Sequence, residues 1–240
     1  MEYRMTIIIP VYNEIANLSR IESTFTDYFN QSKTKSKLLF IDDGSTDGSF
    51  EKIKTICKGK QNFNYLKFAK NCGLSAAIKA GIDSITTELT GYIDADLQTT
   101  PFDFDLLLED IDTYEAVIGF RGKRKDTLNK KVQSLLANSI RRGLINDGII
   151  DTGCPLKVLR TEQAKAIPFF KGMHRFIPAL IKLQGGKIKQ VKVRHFERIA
   201  GKSKFNLFNR SLQPLQDTFA YRWMRKRYIN YTIAESKLNE

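Results

Sequence analysis

The sequence predicts an α/β protein built on one mostly parallel sheet with helices on both faces. Three observations predict it. Over the first ~120 residues, short apolar runs alternate with longer segments of helical periodicity. Polar clusters follow directly after the runs that read as strands, where open parallel sheets place their ligand sites. The chain has 240 residues, 42% of them hydrophobic, which is enough to bury one large core.

Met5–Val11 is continuously apolar and reads as a strand buried on both faces. Ile15–Phe29 puts Ile15, Leu18, Ile21, Phe25 and Phe29 on one helical face. Leu38–Ile41 is the second strand. The tract Asp42-Asp43-Gly44-Ser45-Thr46-Asp47-Gly48 after it has turn chemistry and offers Ser45 or Asp47 as the cap of a helix over 48–58. Phe63–Phe68 is the third strand, Leu74–Ile85 the third helix and Leu89–Ile93 the fourth strand. Pro101 opens a helix reaching Ile111, and Glu115–Gly119 is the fifth strand. The character then changes: Phe120–Arg142 carries eight basic residues and one acidic. Helices are expected over Asn129–Leu144 and Gly172–Leu183, with a turn-rich stretch at Ile150–Pro155 between them. Ile188–Phe196 alternates as a strand with Val191, Val193 and His195 on one face.

The net charge is +13, and Lys187–Tyr231 alone holds twelve basic residues against two acidic. Such a surplus favours polyanionic partners: nucleic acid, anionic lipid or phosphorylated small molecules. Nucleic acid is disfavoured, because acidic clusters at the strand ends repel phosphate unless a cation is bound, and no nucleic-acid-binding motif is present. No stretch approaches the roughly 18 consecutive apolar residues of a spanning helix, and the N-terminus lacks a signal-peptide layout. Cys57, Cys72 and Cys154 are odd in number, far apart and without metal-site spacing, so a reduced, cytoplasmic compartment is expected.

Asp94-Ala95-Asp96 ends the fourth strand. Two carboxylates two residues apart are costly unless a cation or hydrogen-bond donors offset them. Mg²⁺ suits such a place because it needs only one or two protein carboxylates beside substrate phosphates, and Gln98 offers a neutral oxygen. Asp42-Asp43 is a second acidic tract suited to accept hydrogen bonds from a ribose or base, or to cap the next helix. Pro10 lacks an N–H and ends the first strand's ladder, leaving Tyr12-Asn13-Glu14 at its mouth. Arg121, Lys130, Lys131, Ser134, Arg198 and the loop Gly201-Lys202-Ser203-Lys204 supply the complementary positive charge. His195 reads as a strand-packing residue.

Together these residues resemble the family 2 glycosyltransferases of the GT-A fold. The resemblance is carried by Ile7–Glu14, Ile41–Asp47, Asn71-Cys72-Gly73 with Ala77 and Gly81, and Tyr92–Gln98. Gly119-Phe120-Arg121, Asp151–Cys154 and Arg198–Lys204 narrow it to something similar to the polyprenyl-phosphate branch, dolichyl-phosphate mannose synthase-like enzymes. It spans about residues 4–228. It implies a single Rossmann-like sheet with a basic C-terminal extension. It further implies that Pro10, Tyr12, Glu14, Asp43 or Asp42, Asp94, Ala95, Asp96, Arg121 and Lys204 hold a UDP- or GDP-linked sugar. Asp96 and Gln98 would hold Mg²⁺ or Mn²⁺. Arg121, Lys130 or Lys131, Ser134, Arg198 and Lys204 would hold the acceptor phosphate. Catalytic weight falls on Asp94, Asp96 and Arg121, with Asp151 as the candidate base should the acceptor be a hydroxyl. Three departures accompany the likeness: lysine at 130 or 131 where arginine is usual, Asp151-Thr152-Gly153-Cys154 in place of a Ser-Gly-Phe-like end, and no paired membrane helices after the catalytic part.

The implied reaction is inverting transfer of a sugar from a nucleotide-sugar to a polyprenyl phosphate; the alternative acceptor is a saccharide or protein hydroxyl. The expected division is a catalytic domain over 1–210, with its donor half to about 120, and a C-terminal helix and tail over 211–240. In that helix Leu212, Leu215, Phe219 and Trp223 fall at helical spacing beside Arg222, Arg225, Lys226 and Arg227. Such a basic amphipathic helix suits an anionic membrane surface or packs its stripe on the domain. Peripheral attachment to the cytoplasmic face is expected, with a membrane-anchoring partner protein in place of the missing helices.

Overall fold

Strands without polar alternation have to be covered on both faces, and here they are. The computed structural model describes residues 2–122, 145–199, 207–229, 231 and 234–235. The chain runs β1 (Met5–Val11), α1 (Ile15–Gln31), β2 (Ser36–Asp42), α2 (Ser49–Cys57), β3 (Phe63–Lys67), α3 (Leu74–Ser84) and β4 (Leu89–Tyr92). A 3-10 turn (Pro101–Asp103) leads into α4 (Phe104–Leu108) and β5 (Ala116–Arg121). Then come β6 (Lys157–Arg160), α5 (Thr161–Ala166), a 3-10 turn (Met173–Arg175), α6 (Ile177–Leu183), β7 (Ile188–Val193) and α7 (Leu207–Arg227).

The seven strands form one sheet in the order β3-β2-β1-β4-β6-β5-β7. Every pairing is parallel except those of β6, which runs antiparallel to β4 and β5. Alternation along β1 divides the core. Ile7 and Ile9 pack with Leu18, Ile21, Phe25 and Tyr28 of α1, Ile53 of α2 and Phe104 of α4. Ile8 packs with Ala77, Ile78 and Ile82 of α3, Ala164 of α5, Leu180 of α6 and Tyr221 of α7. Each fully buried aliphatic or aromatic side chain contributes about 2 kcal/mol, so this interior, more than helix propensity, holds the helices in place. A Cβ at Gly81 would lie 2.8 Å from Ile8 Cδ1, which is why α3 reaches the sheet so closely.

The first four strands and three helices match the sequence reading to within two residues at each end. The helix expected from Pro101 to Ile111 is a 3-10 turn and a five-residue helix. The helix expected over Gly172–Leu183 is a turn that restarts at Ile177, where Pro178 sits near its beginning and has no N–H to lose. The last strand stops at Val193, so His195 lies beyond it. β6 and α5 are additions. The helix expected over Asn129–Leu144 lies outside the described residues. The expected boundary at 210/211 falls inside α7, whose Tyr221 is buried, stacks on Phe176 and donates its hydroxyl to the Ala179 carbonyl at 3.1 Å. All three cysteines are free thiols.

His174 joins the two halves. Its Nδ1 lies 2.9 Å from Ser75 Oγ, at the start of α3, and that oxygen accepts the Gly172 N–H at 3.1 Å. The hydroxyl has a second lone pair and a proton to offer, so it partners the neutral ring in either tautomer. Burial, then Arg175 and Lys157, push the His174 pKa down to about 3. The unfolded chain binds the extra proton near pH 6.5, so this contribution to stability is complete above that pH and is lost as pH falls towards 3. Urea unfolding between pH 6 and 4 is expected to weaken by about 1.4 kcal/mol per pH unit from this group. His174→Gln removes that component, and equal slopes in the two proteins would show that the ring titrates normally.

Candidate active site

The polar clusters meet at the carboxyl ends of β1, β2 and β4. The loop after β1 is stitched to the loop after β2. Asn13, at a left-handed φ of 50°, donates its N–H to Ser45 Oγ (2.9 Å) and accepts from the Thr46 N–H (2.7 Å). Glu14 and Ile15 donate their N–H groups to Ser49 Oγ and Asp47 Oδ2. The free N–H groups at the start of α1 are thus capped from the neighbouring loop. Pro10, Tyr12 and Glu14 stand half-buried at this mouth.

Asp42 and Asp43 have separate duties. Asp43 is surrounded by donors: Asn71 Nδ2 at 2.9 Å, Cys72 N at 2.6 Å and Gly73 N at 2.9 Å. It anchors the 70–73 loop, which Gly44 lets approach: a Cβ there would meet the Lys70 carbonyl carbon at 2.6 Å, and its φ is +71°. Asp42 is fully buried; its Oδ2 accepts the Ser45 N–H at 3.2 Å, while its Oδ1 has no hydrogen-bond partner among the described residues. A buried oxygen without a donor is expensive, and among the described residues Asp42 alone of this tract carries one.

The Asp94-Ala95-Asp96 turn lies beyond β4. Asp94 Oδ1 accepts the Tyr92 hydroxyl at 2.6 Å. Burial pushes the Asp94 carboxyl up; the Tyr92 bond lowers it, Asp96 raises it further, and Lys157 and Arg121 draw it back down. Asp96 is 8% exposed. Its Oδ1 accepts the Gln98 N–H at 3.1 Å, its carbonyl accepts from Arg20, and its Oδ2 accepts from Arg198 Nη2 at 2.7 Å. Leu97 takes a left-handed φ of 47°, rare for a leucine, to make this turn.

The chain after β7 closes over the turn as a strap. Arg194 donates from its backbone N–H and Nε to the buried Asp103, each at 2.7 Å. Phe196 N donates to the Gln98 carbonyl at 2.8 Å, and His195 Nδ1 lies 3.1 Å from the same oxygen. Arg121, at the end of β5, grips Asp151 on both oxygens: Nε to Oδ2 at 2.7 Å and Nη2 to Oδ1 at 2.9 Å. Of the residues expected at the site, Pro10, Tyr12, Glu14, Asp42, Asp43, Asp94, Ala95, Asp96, Gln98, Arg121, Asp151 and Arg198 are described, while Lys130, Lys131, Ser134 and Lys204 lie outside the described residues. Sequence reasoning passed over Lys157, Arg20 and the Arg194–Asp103 pair. Lys157 alone left a local signal, a single cation inside the apolar run Leu156–Leu159.

Among the described residues no three His, Cys, Asp or Glu side chains gather as a metal cluster. A Mg²⁺- or Mn²⁺-type site completed by substrate phosphates does not require one. Asp96 already holds a cationic group on Oδ2, so its carboxylate is turned to receive positive charge, and the residues fit such an ion.

This architecture is that of the GT-A glycosyltransferases. It matches glucosyl-3-phosphoglycerate synthase from Mycobacterium tuberculosis in complex with Mn²⁺, UDP and glucosyl-3-phosphoglycerate at a TM-score of 0.70, with 14% identity, over 95% of this chain and 81% of that one. The same enzyme with Mg²⁺ and UDP matches at 0.69, with 15% identity and the same coverage. The chain belongs to glycosyl transferase family 2, whose family model matches residues 6–168. Among its relatives are a dodecaprenyl-phosphate galacturonate synthase of Rhizobium johnstonii, 28% identical over 85% of this chain, and an undecaprenyl-phosphate 4-deoxy-4-formamido-L-arabinose transferase of Aeromonas hydrophila, 32% identical over 85%. The match spans 62% and 64% of the length of those two relatives.

A divalent ion on Asp96 Oδ2 would have to displace Arg198, which donates to that oxygen at 2.7 Å. Arg198→Gln is therefore expected to raise Mn²⁺ affinity several-fold in the absence of nucleotide, read from the electron paramagnetic resonance signal of free Mn²⁺. An unchanged affinity would place the ion elsewhere.

Proposed function

We propose that this chain transfers a sugar from a nucleotide-sugar to a polyprenyl phosphate, giving a polyprenyl-phosphate sugar and a nucleoside diphosphate. The observation that carries the reading is the meeting of Asp42, Asp94 and Asp96 at the strand ends with Arg121 and Arg198 beside them, in a family 2 chain whose relatives are named for polyprenyl-phosphate substrates.

Pro10, Tyr12 and Glu14 line the nucleoside, Asp42 accepts from its base or ribose, and Asp43 keeps the 70–73 loop in place around it. Asp94 faces the ribose side. Asp96 with Gln98 holds Mg²⁺ or Mn²⁺, which when bound supplies charge stabilisation to the diphosphate. An acceptor phosphate oxygen attacks the anomeric carbon; the bond from that carbon to the diphosphate oxygen breaks, and its electron pair leaves with the nucleoside diphosphate. A phosphate monoester carries about −1.5 to −2 charges near neutral pH, so no proton has to be removed from the nucleophile. The protein's work is orientation and charge placement. Arg198, freed from Asp96, faces the diphosphate, and the loop lysine Lys204 adds its charge for the phosphates, while Lys130 or Lys131 and Ser134 serve the acceptor. Asp151 supports a phosphate acceptor over a hydroxyl one, since both its oxygens accept from Arg121 and it serves to aim that guanidinium.

The acceptor's lipid requires a surface. No helix among the described residues is long and apolar enough to cross a membrane. On α7 Thr218 and Tyr221 are buried, while Phe219 and Trp223 are 55% and 63% exposed beside Arg222, Lys226 and Arg227. That exposed basic, aromatic face suits the headgroup region of the cytoplasmic leaflet.

With undecaprenyl phosphate, Mg²⁺ and a panel of radiolabelled UDP- and GDP-sugars, organic-phase label is expected from one donor. Asp96→Ala should lower it by about 100-fold or more while circular dichroism stays unchanged; near-normal turnover would refute the role of Asp96. In flotation with anionic vesicles, Phe219→Ala with Trp223→Ala is expected to leave most of the protein in the unbound fraction. Equal flotation of variant and parent would assign this face another use.

A further inference from the structure

Lys157 is the only buried lysine or arginine among the described residues, 2% exposed at the start of β6. Its register partners are Tyr92 on β4 and Ile118 on β5. The ammonium donates to the Cys154 carbonyl and lies 5.3 Å from the centre of the Tyr92 ring. The Tyr92 hydroxyl, at the far edge of that ring, is the group that donates to Asp94 Oδ1 at 2.6 Å. Cys154 in turn closes the turn begun by Asp151, the residue that aims Arg121.

A buried ammonium leaves water at a cost, offset here by a carbonyl, a ring face and the field of the Asp94 and Asp151 carboxylates. What the cation does provide is a tie between two loops: it fixes the Tyr92 ring from beneath by cation–π attraction and holds the 151–154 turn by its carbonyl. Both loops end in side chains of the donor site.

We propose that Lys157 is a positioning residue for the donor site, acting through Tyr92 to keep the Asp94 carboxylate in one orientation. The proposal rests on the nucleotide-sugar reading given above. Groups that orient site side chains from behind commonly cost about 10- to 100-fold in affinity when removed.

The test measures Mn²⁺-dependent UDP and GDP affinity by calorimetry, with thermal unfolding alongside, and needs no acceptor. Lys157→Met is expected to unfold at a lower temperature than the parent, since Asp94 loses a compensating charge, and, still folded at 25 °C, to bind nucleotide about tenfold more weakly. Tyr92→Phe, which keeps the ring and loses the hydroxyl, is expected to lose a similar amount. The double variant is expected to lose no more than either alone, because one relay is being cut twice. Losses that multiply, or a Lys157→Met protein that binds within twofold of the parent, overturn the proposal. If Lys157→Met does not fold, Lys157→Arg has to bind within threefold of the parent and Tyr92→Phe still has to lose about tenfold; an unaffected Tyr92→Phe overturns it. A parent protein that binds neither nucleotide overturns the donor reading and this inference together, whereas tight binding by parent and variants alike overturns this inference alone.

Discussion

A carboxylate that leaves water has to meet positive charge or hydrogen-bond donors, and this fold collects its carboxylates where β1, β2 and β4 end. Each solves the problem differently. Asp43 takes donors from the 70–73 loop, Asp151 takes the whole of Arg121, and Asp103 takes Arg194. Asp96 takes Arg198, a cation on a strap that also rests on Gln98. Asp94 takes a single tyrosine hydroxyl, and Asp42 leaves one buried oxygen without a partner. The order from fully answered to unanswered separates the acidic groups that hold loops from those that have capacity left for a ligand.

The parallel sheet makes that separation possible. Strands covered on both faces have no room for polar side chains along their length, so polar chemistry collects at their ends. β1 illustrates the rule: Met5 to Ile9 and Val11 are all 0% exposed except Thr6, whose hydroxyl is paired with Thr87. The helices on either side then act as a rigid frame for three loops stitched to one another by backbone N–H groups, which fits a site whose main task is orientation.

Much of this was legible in the sequence because it is local. β1 to β4 appear as apolar runs, and the clusters at their ends follow from chain order alone. β6 was not legible: it is four residues long, and Lys157 breaks its apolar run, so neither length nor periodicity marks it. The duties of Asp42 and Asp43 could not be divided from sequence, since Asp43's donors lie about 30 residues further along the chain. The same holds for Arg121 with Asp151 and Arg198 with Asp96: the arginines were read as phosphate contacts, Asp96 as a metal contact and Asp151 as a candidate base, and the partner that already occupies each comes from another loop. Of the stripe on α7, Phe219 and Trp223 are exposed and so do not pack on the domain, while the side chains of Leu212 and Leu215 lie outside the described residues.

The reversed direction of β6 has one further consequence. Because β5 and β6 are antiparallel neighbours, the chain leaves the sheet after Arg121 and re-enters it at Lys157 on the adjacent strand. Lengthening a loop whose two ends are already pinned side by side costs little free energy. Insertions, deletions and rapid divergence can accumulate there while the ladder on either side keeps its register. A lineage can therefore vary the length of chain between these two strands and inherit the carboxyl ends of β1, β2 and β4 untouched.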